Sequence, residues 1–322
     1  MQTLSYRWFS FLSTASALIC VVLLPFGAYV RLKGAGMACP DWPLCHSQIL
    51  PPDLPGVWYE VLHRYLAGIL VLVVLSLIFI SWVGLKKHFL FYLAGSAFFL
   101  FCQAALGALT IFMELSPLIV TSHLIFAHIT FFLLLWVWLE QNQERKKKQG
   151  KKKQVLLKKS PPMGKNSWVS FLFQDKRLLA VLYFFTLLFG GLNAATLSGY
   201  SCRSFPFCSS LEVFSPFALW MENVAPSDWQ NQLQMGHRYF AFLFWALALV
   251  QMLGVGKTEG EKNIFWMRML FFFASLQFAL GITNAMLGIP LLVSVLHSLV
   301  AVFITGSIVV ILYQAHLQKE KL

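Results

Sequence analysis

Eight apolar runs, each twenty residues or longer, dominate the chain: Trp8–Val30, Trp58–Val83, Phe89–Phe112, Pro117–Leu139, Leu178–Leu197, Leu233–Val255, Phe265–Leu287 and Pro290–Ala315. A bilayer's hydrocarbon core takes about 20 residues of α-helix to cross. Because lipid offers no hydrogen bonds, the backbone of such a run must satisfy itself as a helix. The runs therefore predict an all-α integral membrane protein with eight transmembrane helices. Composition agrees, since only 12% of the 322 residues are charged, against roughly a quarter in soluble domains. The first run has no small-residue cleavage site and exceeds the 7–15 residues of a signal-peptide core, so it is expected to be a retained span.

A net charge of +12 would ordinarily raise nucleic acid as a partner. Its distribution removes that reading. Between Gln141 and Arg177 stand twelve basic and two acidic residues, which account for +10 of the +12. The basicity belongs to one linker whose Lys, Gln, Ser and Pro content argues against a fold. Short loops rich in Lys and Arg stay cytoplasmic. Lys86 and Lys87, the linker, Lys257 and Lys262, and Lys319 and Lys321 fall in alternate connections. Both termini are thus expected in the cytoplasm, and the loops 31–57 and 198–232 on the oxidising side of a bacterial inner membrane.

An internal repeat organises the rest. His63 and His237 lie 174 residues apart, as do Gln103 and Gln277, Gly107 and Gly281, and His123 and His297. Upstream, Gly27 pairs with Gly190, Cys39 with Cys202, Pro43 with Pro206 and Cys45 with Cys208, all 163 apart. Four spans per half leave both halves in the same orientation, a parallel repeat. The expected organisation is two pseudosymmetric four-helix bundles, residues 1–140 and 178–322, joined by the basic cytoplasmic linker 141–177.

Of eight histidines, His63, His123, His237 and His297 obey the repeat, with 60 residues between the members of each pair. The second and fourth spans of a half run in the same direction, so a rise of ~1.5 Å per residue puts each pair at similar shallow depth. Two imidazoles on facing helices suit haem iron, whose two axial ligands approach a flat macrocycle from opposite faces. Zinc would need further ligands that the pattern lacks. A lone intramembrane histidine could simply bond a carbonyl on a neighbouring helix, but a duplicated pair argues for a metal. His128 lies off the face of His123 and is expected to pack or hydrogen-bond, while His46, His88 and His316 lie in loops or at a span end.

Glu60 precedes His63 by three residues, on the same helix face, and its counterpart is Gln234. A carboxyl costs roughly 2.5–3.5 kcal/mol at mid-bilayer, which favours a position facing a site. The first half is accordingly expected to be reactive and the second to hold electrons, because a carboxylate can take protons or stabilise developing positive charge and an amide cannot. Arg64 and Arg238 are candidate partners for haem propionates or anchors at headgroup level. Cys39-x5-Cys45 and Cys202-x5-Cys208 are expected to form disulfides within their loops. Cys20 and Cys102, inside spans, are expected to be inert.

These residues resemble a known family. The segments Gly27–Cys45 (GAYVRLKGAGMACPDWPLC), Glu60–Arg64 (EVLHR), Gln103–Thr110 (QAALGALT), His123–His128 (HLIFAH), Gly236–Arg238 (GHR), Gln277–Asn284 (QFALGITN) and Leu296–Ser298 (LHS) are similar to those of haem A synthases, enzymes of cytochrome oxidase assembly. The resemblance implies oxidation of the C8 methyl group of haem O to the formyl group of haem A. It also implies that His63 and His123 hold the substrate haem, that His237 and His297 ligate a resident haem b, and that Glu60 assists the chemistry. A haem O synthase and further copies of the chain are the implied partners. A dihaem carrier passing electrons to or from a quinol, without altering any haem, is the competing expectation. Glu60 against Gln234 separates the two, since a symmetric carrier needs no acid at one site only.

Overall fold

The computed structural model of the chain describes residues 2–85, 87–113, 115–148, 175–202, 204–208, 226–254 and 261–319. Eight long α-helices account for most of them: α1 (Gln2–Leu32), α2 (Val57–Ile80), α3 (Leu90–Phe112), α4 (Pro117–Lys148), α5 (Arg177–Ala195), α6 (Pro226–Gly254), α7 (Glu261–Met286) and α8 (Leu291–Lys319). No strand occurs among the described residues. Seven of the eight are long and apolar enough to cross a membrane. The remaining one, α6, falls short because its first turns carry Asp228, Gln230, Asn231, Gln232, Gln234, His237 and Arg238.

Two helices exceed their apolar runs. α4 continues nine residues past Leu139, through Glu140, Gln141, Gln143, Glu144 and Arg145, all good helix formers that need no apolar surroundings. It thereby takes in the start of the basic segment, while residues 149–174 of the expected linker lie outside the described residues. α6 starts at Pro226, seven residues before Leu233. Proline is favoured as a first helical residue because its missing N–H would be unbonded there in any case.

The chain divides into two compact units. In the first (Met1–Lys151 with Ser294–Val302), α1 packs on α2 and α4, α2 on α3, and α3 on α4, a closed ring of four helices. Phe9, Leu70, Val74, Leu77, Leu93, Leu134 and Val137 fill its centre together with Val302. Polar contacts also cross between its helices: Trp138 Nε1 donates to Thr14 Oγ1 (3.0 Å), and Gln103 Nε2 to Thr130 Oγ1 (2.7 Å). In the second unit (Lys152–Val293 with Phe303–Leu322), α6 packs on α5 and α7. The far part of α8 joins them through a Thr305–Tyr183 hydroxyl bond to α5 (3.2 Å) and through Phe303 stacked on Phe273 of α7 (5.3 Å).

Candidate active site

The four repeat-paired histidines lie on long helices, His63 on α2, His123 on α4, His237 on α6 and His297 on α8; His297 falls within Ser294–Val302, grouped with the first unit, and His237 within the second. Each keeps part of its surface open. In the first unit His63 and His123 are close enough to interact electrostatically. His123 Nδ1 lies 3.1 Å from the carbonyl oxygen of Gln103 on α3. A carbonyl only accepts, so Nδ1 carries the proton and Nε2 keeps its lone pair. That is the tautomer a metal ligand needs, fixed by a bond from the other ring nitrogen. His237 repeats the device, with Nδ1 3.1 Å from the carbonyl of Thr186 on α5. His63 Nδ1 is buried and has no hydrogen-bond partner among the described residues, the kind of group that a bound ligand satisfies.

Glycine lies against two of these rings. A Cβ on Gly27 of α1 would come within 3.0 Å of His63 Cε1, and one on Gly190 of α5 within 2.8 Å of His237 Cε1. The sequence pairs these glycines, but their position beside the imidazoles follows only from the packing of α1 on α2 and α5 on α6. Phe26, next to Gly27, faces the His63 ring at 6.0 Å and lines an apolar cleft of about 330 Å³ with Pro25, Tyr29 and Val295.

No cluster of three or more His, Cys, Asp or Glu side chains able to hold a bare metal ion exists among the described residues. The donor set is imidazoles, with one nitrogen of His123 and one of His237 anchored on a carbonyl, beside glycines and apolar side chains. Such a set fits a macrocycle that brings four iron ligands of its own and needs only axial nitrogens.

Glu60 is buried at 7% exposure, but it is not a free acid. Its Oε2 accepts the backbone N–H of Cys39 (2.9 Å), and its Oε1 accepts Arg64 Nη2 (2.6 Å). At the corresponding place in the second unit the polarity is reversed. Gln234 Nε2 donates to the carbonyl of Cys202 (3.1 Å), while its Oε1 accepts the Ser201 hydroxyl (3.3 Å).

Both arginines grip loop carbonyls. Arg64 Nη1 donates to Asp41 O (2.8 Å), Pro43 O (3.3 Å) and Leu44 O. Arg238 Nη1 donates to Ser204 O (2.8 Å) and Pro206 O (3.0 Å), and its Nη2 to Cys202 O (3.2 Å). The cysteines are bonded as expected, Cys39 to Cys45 and Cys202 to Cys208. Trp42–Pro43 and Phe205–Pro206 are both cis. The two connections thus carry the same parts at positions 163 residues apart.

Asp41 is a residue that the sequence reading passed over. Its carboxylate accepts the N–H groups of His46 and Ser47, both at 2.6 Å, and these two residues have φ of 54° and 58°. Partial loss of solvent raises its pKa, but the Ser47 and His46 N–H groups and the Arg64 guanidinium outweigh that and hold it below the ordinary carboxylate value. The signal was an Asp shortly before two residues in left-handed backbone, and only the backbone angles reveal it. Of the other histidines, His128 is buried on α4 and packs as expected. His46, in the first connecting loop, has a buried Nε2 with no partner among the described residues. His88 pairs with Glu144 at 2.8 Å. Cys20 is buried and Cys102 partly so, both as free thiols.

A family model described as cytochrome oxidase assembly protein matches residues 7–56 and 53–309. The chain belongs to that family. Among its relatives, the heme A synthase of Shewanella oneidensis is 27% identical over 91% of this chain and 92% of its own length. That of Macrococcus caseolyticus is 26% identical over 93% of each. That of Bacillus mycoides is 28% identical over 91% of this chain and 88% of its own. The family match takes in all four histidines, Glu60 and both cysteine pairs.

Proposed function

We propose that the chain is a haem A synthase, an oxidoreductase that converts the C8 methyl group of haem O to a formyl group. His63 and His123 hold the substrate macrocycle in the first unit, and His237 and His297 serve a resident haem b. The two disulfide-bonded connections face the oxidising side of a bacterial inner membrane, with both termini in the cytoplasm. A haem O synthase supplies the substrate. The observation that carries this reading is the anchored imidazole: in each unit a ring nitrogen bonded to a neighbouring helix's carbonyl presents the other nitrogen as a neutral ligand. Relatives over nine-tenths of the chain bear the name of that activity.

A resident haem supplies an iron that changes oxidation state and carries electrons singly. The chain's own residues provide position and charge. Glu60, held by Cys39 N–H and Arg64, keeps a fixed carboxylate one turn from His63. Arg64 balances its charge, so what Glu60 adds beside the substrate site is a fixed, salt-bridged acceptor and not an unpaired negative charge. Gln234 offers no charge at the equivalent position, which favours a modifying enzyme over a symmetric electron carrier.

Co-expression with a haem O synthase, followed by pigment extraction from the purified protein, tests the proposal. Haem A or its hydroxylated precursor is expected. Haem B and haem O alone, from protein whose Soret band shows full loading, would instead support the electron carrier.

A further inference from the structure

We propose that the hairpin His46–Pro51 in the first connecting loop is a membrane-surface anchor, with Ile49 and Leu50 inserted into the bilayer interface alongside α2. This inference goes beyond the proposed activity and needs only that α2 crosses a membrane. Ile49 and Leu50 lie outside every helix, yet 72% and 74% of their surfaces are open. An aliphatic side chain gains by leaving water, and here two stand side by side.

The structure shows what they lie against. The Tyr65 hydroxyl donates to the carbonyl oxygen of Ile49. Tyr65 belongs to an open stripe on α2 formed by Trp58, Leu62, Tyr65, Ile69 and Leu72, each between 37% and 65% exposed. The spacing of 4, 3, 4 and 3 keeps the stripe on one helix face. That face points away from the ring's filled centre, where Leu70, Val74 and Leu77 lie, and in a membrane it meets lipid. Tyr65 is eight residues past Val57, about 12 Å along the helix at 1.5 Å per residue. Its bond therefore draws Ile49 toward the lipid-facing stripe, and the aliphatic pair continues that surface.

Part of the hairpin's backbone is already bonded, which lowers the cost of leaving bulk water. Cys45 and Gln48 exchange N–H···O bonds (3.4 and 3.1 Å). The His46 and Ser47 N–H groups are taken by Asp41 and the Ile49 carbonyl by Tyr65. Pro51 and Pro52 have no N–H to satisfy. Between Gly34 and Val57 no Lys or Arg occurs, and Asp41, His46 and Asp53 are the ionisable side chains apart from the bonded cysteines. Trp42, Trp58 and Tyr59, all more than a third exposed, supply aromatic rings of the kind that settle at headgroup level.

Nitroxide labels test the anchor. In a chain carrying Cys20→Ala and Cys102→Ala, with both disulfides intact, single substitutions Ile49→Cys, Leu50→Cys, Leu72→Cys and Asp53→Cys are labelled in phosphatidylcholine proteoliposomes. Power saturation then compares collision with oxygen, which partitions into lipid, and with a water-soluble nickel chelate. Oxygen should dominate at 49 and 50 as it does at 72, and the chelate at 53. Chelate dominance at 49 and 50 with oxygen dominance at 72 would place the hairpin in water and overturn the anchor. Low access to both reagents at 49 and 50 would overturn it too, by showing a protein contact. A site 72 that oxygen does not reach would remove the membrane-spanning premise and the anchor with it. Tyr65→Phe, which removes only the hydroxyl latch, should invert the oxygen-to-chelate ratio at site 50; an unchanged ratio counts against the latch as its cause.

Discussion

Gly190 shows how one absent side chain can set a ligand's position. His237 is held on one side by the Thr186 carbonyl at 3.1 Å, and a Cβ on Gly190 would come to 2.8 Å from its ring. A ring movement that relieved this contact would strain the carbonyl bond, so the methyl group of Gly190→Ala should loosen or rotate the imidazole. We expect Gly190→Ala to retain its helical circular dichroism but lose much of its Soret absorbance, which optical titration of purified protein measures. Gly27→Ala, with a 3.0 Å approach to an imidazole whose Nδ1 has no partner among the described residues, should be milder because that ring can tilt. Equal loss at the two positions would mean that the carbonyl tether does not fix the ring.

At the scale of elements, the connections are held by side chains that reach out of helices to grip backbone. Arg64 from α2 and Arg238 from α6 each cover several carbonyls, but only Arg64 also neutralises a buried acid, Glu60. Arg238→Ala removes hydrogen bonds to carbonyls and should cost about 1–3 kcal/mol. Arg64→Ala also strands the Glu60 carboxylate, and losing one partner of a buried pair costs about 3–5 kcal/mol. Thermal unfolding in detergent should therefore rank wild type, Arg238→Ala and Arg64→Ala in falling order, and the reverse rank of the two variants would exclude a buried Glu60–Arg64 pair. These grips also mark the limit of what the sequence discloses. The helices and the two disulfides were legible because hydropathy and cysteine spacing are side-chain properties. The targets of Arg64 and Arg238 and the tethers of His123 and His237 were not, because they are carbonyl oxygens, and every residue carries one. A different reason hid the extension of α4, whose polar turns look like linker when only apolar runs are counted.

At the scale of the whole molecule, the proposed function gives two sets of matching parts two different tasks. Under the proposed assignment, His63→Met or His123→Met should abolish haem A while haem B is still extracted, whereas His237→Met or His297→Met should deplete haem B first. Loss of both pigments together in every variant would contradict separate ligand pairs. The difference between the tasks is written into the latches at residues 60 and 234. In one, a carboxylate receives an N–H; in the other, an amide gives a hydrogen to a carbonyl. A single exchange cannot interconvert them. Glutamine at 60 would turn its NH2 either to Arg64 or to the Cys39 N–H, donor against donor, and glutamate at 234 would set two acceptors face to face at Cys202 unless it took up a proton. Divergence at these positions is therefore epistatic: neither lobe can drift into its sibling's role one substitution at a time, since each intermediate carries mismatched polarity in a buried place.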